Sequence, residues 1–448
     1  VTASGYDVAN SCRFDSASSA DLRISDYSGA GTSRKTRTYS MWIKRSELSY
    51  AVIFGSAGKD HWVFTADHKI QINIGSGTDS RRITDMVFRD VSAWYHIVFA
   101  YDTTQGTAAN RFTMWVNGAV ATTSIVAGKN EVAEDEEALV FINGDTHTIG
   151  SDEDSASYFD GYMAEWVFVD GQKLDADSFG EYDSDSGIWK PKDVSGITLG
   201  TNGFYLNFAD SSDLGIDAGN DNDFEPTNLT AIDQSTDTCT NNFNTYSPLW
   251  GMQAIRVPIF AEGNLKITGD GDANHHQVMG TFAVNKGKWY WEAKFTVSAD
   301  IGKNKVGIMS VDLGSPQTAE IVDQSGSCVF VNEDGGDFRR DNATVDQNSG
   351  VFTQNQIIGV ALNMDDGEIS IYRDNSLIVD ALDIGNADGT YVTPASVHYR
   401  DAGMEFNFGS APYALTSAAA DGNGYGSFEF APPSGYFALC TKNLAEYG

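Results

Sequence analysis

Asp217, Asp221, Asp223 and Glu225 crowd the single stretch DAGNDNDFE of this 448-residue chain. Oxygen-rich loops of this kind suit a hard cation such as calcium. The spacing departs from the EF-hand loop at its Gly and its terminal Glu, so the stretch also reads as a solvated acidic turn, and both readings stay open. A second constellation is aromatic. Trp62 follows Asp60 and His61, and Tyr158 stands near Asp160, each beside loop-forming residues. Sugar rings present apolar C–H faces that stack on Trp and Tyr, while carboxylates and amides take their hydroxyls. Asp60, His61, Trp62 and Tyr158 are therefore candidate glycan or partner contacts. Trp42, Trp94, Trp166, Trp289 and Trp291 sit inside strand patterns and are assigned to the core. His275 and His276 are adjacent, so in a strand they point to opposite faces, and two surface histidines are expected rather than a chelate. The acids of EVAEDEEALV lie side by side between polar residues and read as a solvated loop. No G-x-S-x-G elbow, Walker A loop or H-E-x-x-H occurs, which removes the usual hydrolase and nucleotide-binding signatures.

The elements that must position these residues are strands. Short apolar runs such as YSMWIKR, AVIFGS, WYHIVFAYD and RFTMWVNG are punctuated by Gly, Asn and Asp, and RFTMWVNG alternates Phe112, Met114 and Val116 on one face. That period of two marks half-buried strands, and Asn117-Gly118 supplies the positive φ angles of a tight hairpin. DADSFGEY is the one short capped helix expected in this half. From Ala209 to Trp250 the chain turns polar, which predicts a connector. Strand patterns resume with KWYWEAKFTV, KVGIMSVD and CVFVNEDG. Asp366-Gly367 and Asp374-Asn375 then divide IIGVALNMDDGEISIYRDNSLIV into a three-strand meander. The expected fold is all-β: two tandem antiparallel β-sandwiches, 1–208 and 251–448, joined by a polar connector, 209–250.

Composition limits the partners. With 62 Asp plus Glu against 29 Lys plus Arg, the formal charge is -33. Phosphate backbones and anionic lipid surfaces need clustered Lys and Arg, so neither nucleic acid nor membrane is expected as a partner. No apolar run approaches the length that spans a bilayer, and VTASGYDVAN has no basic n-region or apolar h-region, so no signal peptide is expected. Cys12, Cys239, Cys328 and Cys440 stand far apart. Cys12 and Cys239 remain a possible pair, with buried thiols the preferred reading.

The ordered set SMWIKR, WYHIVFAYD, FTMWVNG and TIGSDEDSASYFDGYMAEWVFVDGQKLDADSFGEY resembles laminin-G-like members of the concanavalin A-like lectin and glucanase superfamily. GKWYWEAKF, KVGIM, IIGVALNMDDGEISIYRDN and MEFNFG resemble a SPRY domain. The pairing, with TDTCTNNFNTYSPL at the junction and DGNGYGSFEFAPPSGYFALCTKNL at the end, resembles virion structural proteins of tailed phages. The first resemblance implies a concanavalin A-like jelly roll and a second calcium candidate at the sandwich rim, Asp152, Asp154 and Asp160. Glucanases of that superfamily set paired carboxylates as E-x-D-x-E on one strand. No such run occurs here, so no enzyme is expected. The SPRY resemblance places recognition on inter-strand loops holding Arg339, Arg340, Tyr399 and Arg400, which read alternatively as ordinary ion partners. The phage resemblance implies a capsid decoration, head fibre or tail fibre at the virion surface. Its partners would be other virion proteins, further copies of itself and host surface glycans. The rival is a secreted bacterial lectin or glycan-processing enzyme.

Overall fold

The computed structural model describes residues 5–25, 27, 29, 31–56, 60–74, 80–142, 144–152, 156–249, 258–296, 303–312, 320–332, 335–346 and 349–448. The chain divides into two compact units, one running to Thr240 and the other from Asn241 to Gly448.

Two eight-stranded antiparallel sheets, together with a two-stranded one of Gly180–Tyr182 and Trp189–Pro191, make the first unit. From edge to edge, one carries Ala119–Val120, Phe112–Val116, Tyr95–Asp102, Thr36–Arg45, Gly161–Asp170, Ser11–Phe14 and Gln234–Ser235, with Phe204–Leu206 also paired to Gly161–Asp170. The other runs Thr123–Ile125, Ser80–Thr84, Ile70–Ile74, Trp62–Phe64, Ala51–Ser56, His147–Ile149, Asp21–Ile24 and Glu225–Thr227. The alternation in FTMWV buries Phe112, Met114 and Val116 against the opposing sheet. The hairpin after it turns on Asn117 (φ 47°) and Gly118 (φ 79°). A Cβ at Gly118 would stand 2.3 Å from the Trp189 ring, so both the backbone angle and the space demand glycine. Aromatic rings fill the interior: Tyr39 stacks between Phe99 and Phe168, each 4.8 Å away.

The first of these sheets is covered on both faces. Thr36–Arg45 and Gly161–Asp170 are buried almost throughout, because Trp42, Trp94, Tyr162, Phe179, Trp189 and Tyr205 cover the outer side. Polar groups trapped there are paired, as burial requires. Lys44 Nζ meets Asp237 Oδ2 at 2.8 Å, and Trp94 Nε1 donates to Asp237 Oδ1 at 3.0 Å. Trp189 Nε1 donates to His96 Nδ1 at 2.9 Å, which leaves Nε2 to donate to Ser40 Oγ at 2.9 Å and fixes the neutral tautomer. Burial holds His96 down at about 3.

The polar stretch expected to be a connector contributes to this unit. Glu225–Thr227 pairs with Asp21–Ile24, Gln234–Ser235 pairs with Ser11–Phe14, and the unit runs on to Thr240. Edge strands of two or three residues join a ladder through backbone groups alone, so they leave no apolar pattern to read.

The second unit opposes a sheet ordered Ile259–Ala261, Lys266–Thr268, Gly403–Asn407, Lys288–Phe295, Ile357–Asn363, Glu368–Arg373 and Ser376–Asp383 to another ordered His275–Met279, Val392–Tyr399, Lys305–Ser310, Ser327–Val331, Asp337–Arg340 and Ala343–Asp346. The three-strand meander lies where Asp366-Gly367 and Asp374-Asn375 put its turns. Trp289, Trp291 and Phe295 meet Ile308, Cys328 and Phe330 in the core. The expectation of an all-β chain with two antiparallel sandwiches holds. DADSFGEY holds a 3-10 turn, Ala176–Ser178, followed by the strand Gly180–Tyr182, and Thr441–Tyr447 is the one α-helix among the described residues. No helix among them is long and apolar enough to cross a membrane. The four cysteines are free, so Cys12 and Cys239 do not pair.

Candidate functional site

Glu165 interrupts the apolar run of the strand Gly161–Asp170. Pairing with Thr36–Arg45 shifts register between Ala164 and Val167, and Glu165 takes a φ of 49°. The extra residue is a β-bulge, which lets Trp166 keep facing the core while Glu165 turns to the outer layer. There Tyr205 Oη donates to Glu165 Oε2 at 2.7 Å and Tyr6 Oη donates to the same oxygen at 3.1 Å. The two phenol oxygens are 2.9 Å apart.

Three oxygens within hydrogen-bond distance of one another make three contacts. With Glu165 ionised the phenols supply only two protons, so one contact has none, whereas a protonated carboxyl completes the ring. Burial pushes the Glu165 carboxyl up to about 7, with the phenol hydroxyls opposing and Asp193 adding to the rise. Tyr6 is raised to about 12 by burial and by Glu165.

Tyr6 and Tyr205 line a groove of about 890 Å³ whose other walls include Asp193, Ile197, Leu199 and Asn220. The walls are stitched from polar side chains. Asp217 Oδ1 accepts from Tyr205 N and Gly219 N, both at 2.8 Å, and Asp217 Oδ2 accepts from Asn220 N at 3.1 Å and Asn222 N at 3.2 Å. Asn220 Nδ2 donates to the carbonyls of Gly200 and Gly203. Hydroxyl, amide and carboxyl groups thus stand beside aliphatic and phenolic surface, the mixture that suits a polyhydroxylated ligand.

The first set of candidate calcium ligands lies in this loop and makes other contacts. Asp217 is taken up by backbone N–H groups, Asp223 Oδ1 accepts from Asp217 N at 2.8 Å, and Asp221 and Glu225 are exposed. Asp217 thereby holds the backbone of Gly219 and Asn220, which line the groove. In the rim set, Asp160 is buried, accepts from Ser16 N and Oγ at 3.1 Å each, and is raised by burial to about 7. Asp152 Oδ1 accepts from Ala156 N at 2.7 Å, and Asp154 lies outside the described residues. Among the described residues neither set brings three donor atoms together.

The aromatic candidates separate. Trp62 is 3% exposed and packs against Trp166 and Tyr39 in the core, so its ring is closed to a ligand. Its strand lies inside the sheet and faces the opposing one, which adjacency to a loop does not reveal. Asp60 is buried and accepts from Leu139 N at 3.1 Å. His61 is half-buried against the Asn73 amide, and Tyr158 is half-buried. In the second unit two strands separate Asp337–Arg340 from Val392–Tyr399, so the four SPRY-type candidates form no single site. Arg340 Nη1 pairs with Asp383 Oδ1 at 3.0 Å, the ion-partner alternative. Arg339 is half-buried within its strand. The Tyr399 ring carries Lys303 at 4.3 Å and Arg400 at 5.3 Å, with the His275 ring 4.9 Å away. His276, expected at the surface, is fully buried, because its register opposite His398 turns it inward.

Sequence reasoning missed Tyr6, Glu165 and Tyr205. An acid in the middle of YMAEWVFVD was the available signal, since a polar residue in an apolar strand needs a reason.

Residues 16–177 match the model of the concanavalin A-like lectin/glucanases superfamily, and residues 288–411 match that of the SPRY domain. A concanavalin A-like domain precedes a SPRY domain. The SPRY domain of human HERC1 is similar at 16% identity, covering 32% of this chain and 87% of that one, with a TM-score of 0.26. The native heptameric SAP-like pentraxin from Limulus polyphemus is similar at 15% identity, covering 38% of this chain and 80% of that one, with a TM-score of 0.26. No curated protein matches the chain.

Proposed function

We propose that this chain is a non-enzymatic structural protein displayed on a tailed-phage particle, and that its first unit binds host-surface glycan in the groove over Tyr6, Tyr205 and Glu165. The groove carries the reading: a cavity of about 890 Å³ pairs phenolic and aliphatic surface with hydroxyl, amide and carboxyl groups. The concanavalin A-like match supports a carbohydrate ligand. The phage-like junction and tail motifs support display on a virion, as a capsid decoration, head fibre or tail fibre among other virion proteins. A charge of -33 keeps free copies mutually repulsive. Assembly as a homo-oligomer would let weak single contacts add through avidity.

One observation favours a second reading, a glycan-processing enzyme. Glu165 is held up at about 7 while the Asp193 carboxylate, hydrogen-bonded by Ser195, is held below its usual range. Two carboxyls with divergent affinities for a proton are what acid and base roles require. The discriminating experiment incubates the full chain with polysaccharide fragments from the phage host and follows them by saturation-transfer NMR, alongside mass spectrometry of purified particles. Reversible binding that is lost in Tyr6→Ala, with the fragments intact and the protein present in particles, is expected. Cleaved fragments would move the assignment to the enzyme. Absence of binding together with absence from particles would overturn the reading.

A further inference from the structure

The second unit gathers an imidazole and two carboxylates at one point. His276 is fully buried on His275–Met279, at the edge of its sheet. Its Nε2 stands 3.1 Å from Asp270 Oδ1 and 3.2 Å from Asp272 Oδ1, and those carboxylates are 39% and 42% exposed. Among the described residues this is the one trio of His, Cys, Asp or Glu whose donor atoms all lie within 4.8 Å of one another.

The loop between the carboxylates and the strand is shaped for this approach. Gly271 takes a φ of 91°, and a Cβ at Gly269 would stand 1.7 Å from the Arg400 carbonyl oxygen, so the backbone is pressed against its neighbour. Asn274 Nδ2 donates to Asp272 Oδ2 at 2.5 Å, which leaves Oδ1 for His276.

Hydrogen bonding alone does not complete the trio. One N–H donates at full strength to one of the two carboxylates, and the other still converges on the same nitrogen. A doubly charged ion would meet all three donors. Bonds of about 2.0–2.2 Å from zinc to imidazole nitrogen and carboxylate oxygen set tetrahedral ligand atoms about 3.3 Å apart, close to the separations present.

We propose that Asp270, Asp272 and His276 bind a divalent transition-metal ion of the zinc type, with the remaining coordination position open to solvent. Imidazole with carboxylates suits zinc, cobalt or manganese, whereas calcium prefers an all-oxygen shell. The bound ion would fasten the loop to the sheet edge.

The test uses the untagged full chain, stripped with a chelator and titrated with zinc by calorimetry, then with cobalt by visible spectroscopy. One zinc per chain, cobalt d–d bands of a nitrogen- and oxygen-ligated site, and shifted resonances of the His276 ring are expected. Calcium at equal concentration should give no competing heat. The variant Asp270→Asn with Asp272→Asn alters only exposed carboxylates, so it keeps the fold by circular dichroism and should weaken zinc binding more than about tenfold. No zinc heat in the parent chain, or an unchanged affinity in the variant, overturns the assignment.

Discussion

Among the described residues each unit buries one glutamate on the outer face of a central strand, and the two are partnered differently. Glu292, on Lys288–Phe295, accepts four hydrogen bonds. Oε1 takes Phe430 N at 2.8 Å and Tyr290 Oη at 3.3 Å, while Oε2 takes Glu429 N at 2.9 Å and Asn407 Nδ2 at 3.1 Å. Burial still raises its carboxyl above the ordinary range, against the pull of those donors. It lashes the segment after Gly409 to the sheet and has no lone pair left to offer a ligand. Glu165 spends one oxygen on two phenols, and those phenols line a groove. Saturation by backbone donors marks Glu292 as a structural acid, whereas Glu165 is partly satisfied and meets the groove through the two phenols that line it.

The comparison breaks most visibly at Glu292. Glu292→Ala strands two backbone N–H groups and an amide in a buried site, so about 4 kcal/mol should be lost from the second unit. Urea unfolding of the full chain should show that transition moving while the first unit's stays. A loss below about 1 kcal/mol would mean that Glu292 is no anchor. Glu165 should behave in the opposite sense. Its folded value of about 7 lies above the ordinary 4.5, so the native state holds the proton more tightly than the unfolded chain does. Stability from this group therefore falls as pH rises from about 4.5 to about 7 and is level on either side. Glu165→Gln removes the ionisation, so near pH 8 the variant should be more stable than the parent by about 3 kcal/mol, converging with it near pH 4.5. Asp160, also raised to about 7, adds a slope of the same sign to both proteins and cancels in the difference. A variant less stable than its parent at high pH would show that the ionised carboxylate is what the site prefers.

Local signals carried the fold. The alternation of Phe112, Met114 and Val116 and the dipeptides Asn117-Gly118 and Asp374-Asn375 act within a few residues, so strands and turns were legible from them. The site was not, because it is assembled across long separations. Glu165 finds Tyr205 forty positions on and Tyr6 159 positions back. Trp62 was misplaced because burial of a strand depends on which sheet faces it. The acids of 217–225 look like cation ligands in composition, but the backbone N–H groups that satisfy Asp217 come from the fold of the loop itself. Asp270, Asp272 and His276 show their D-x-D-x-x-x-H spacing in the sequence, yet only the register opposite His398 turns the imidazole toward the carboxylates.

The smallest expected effect sharpens the contrast, because a phenol hydrogen-bonds each glutamate. Tyr290 is one of four donors to Glu292 and the most distant of them at 3.3 Å, so Tyr290→Phe should change stability by no more than about 0.5 kcal/mol. Tyr6 is one of two donors to Glu165, and its hydroxyl favours the ionised carboxylate. Tyr6→Phe should therefore drive the Glu165 titration higher, read from the side-chain carboxyl carbon by NMR. It should cost about 1 kcal/mol near pH 8 and less near pH 4.5, where the carboxyl is protonated in both proteins. Equal effects from the two tyrosine substitutions would mean that donor number does not distinguish these carboxyls, and the groove would lose its claim on Glu165. An effect confined to Tyr6 ties the proton on Glu165 to the groove, so glycan affinity should change through the same pH interval.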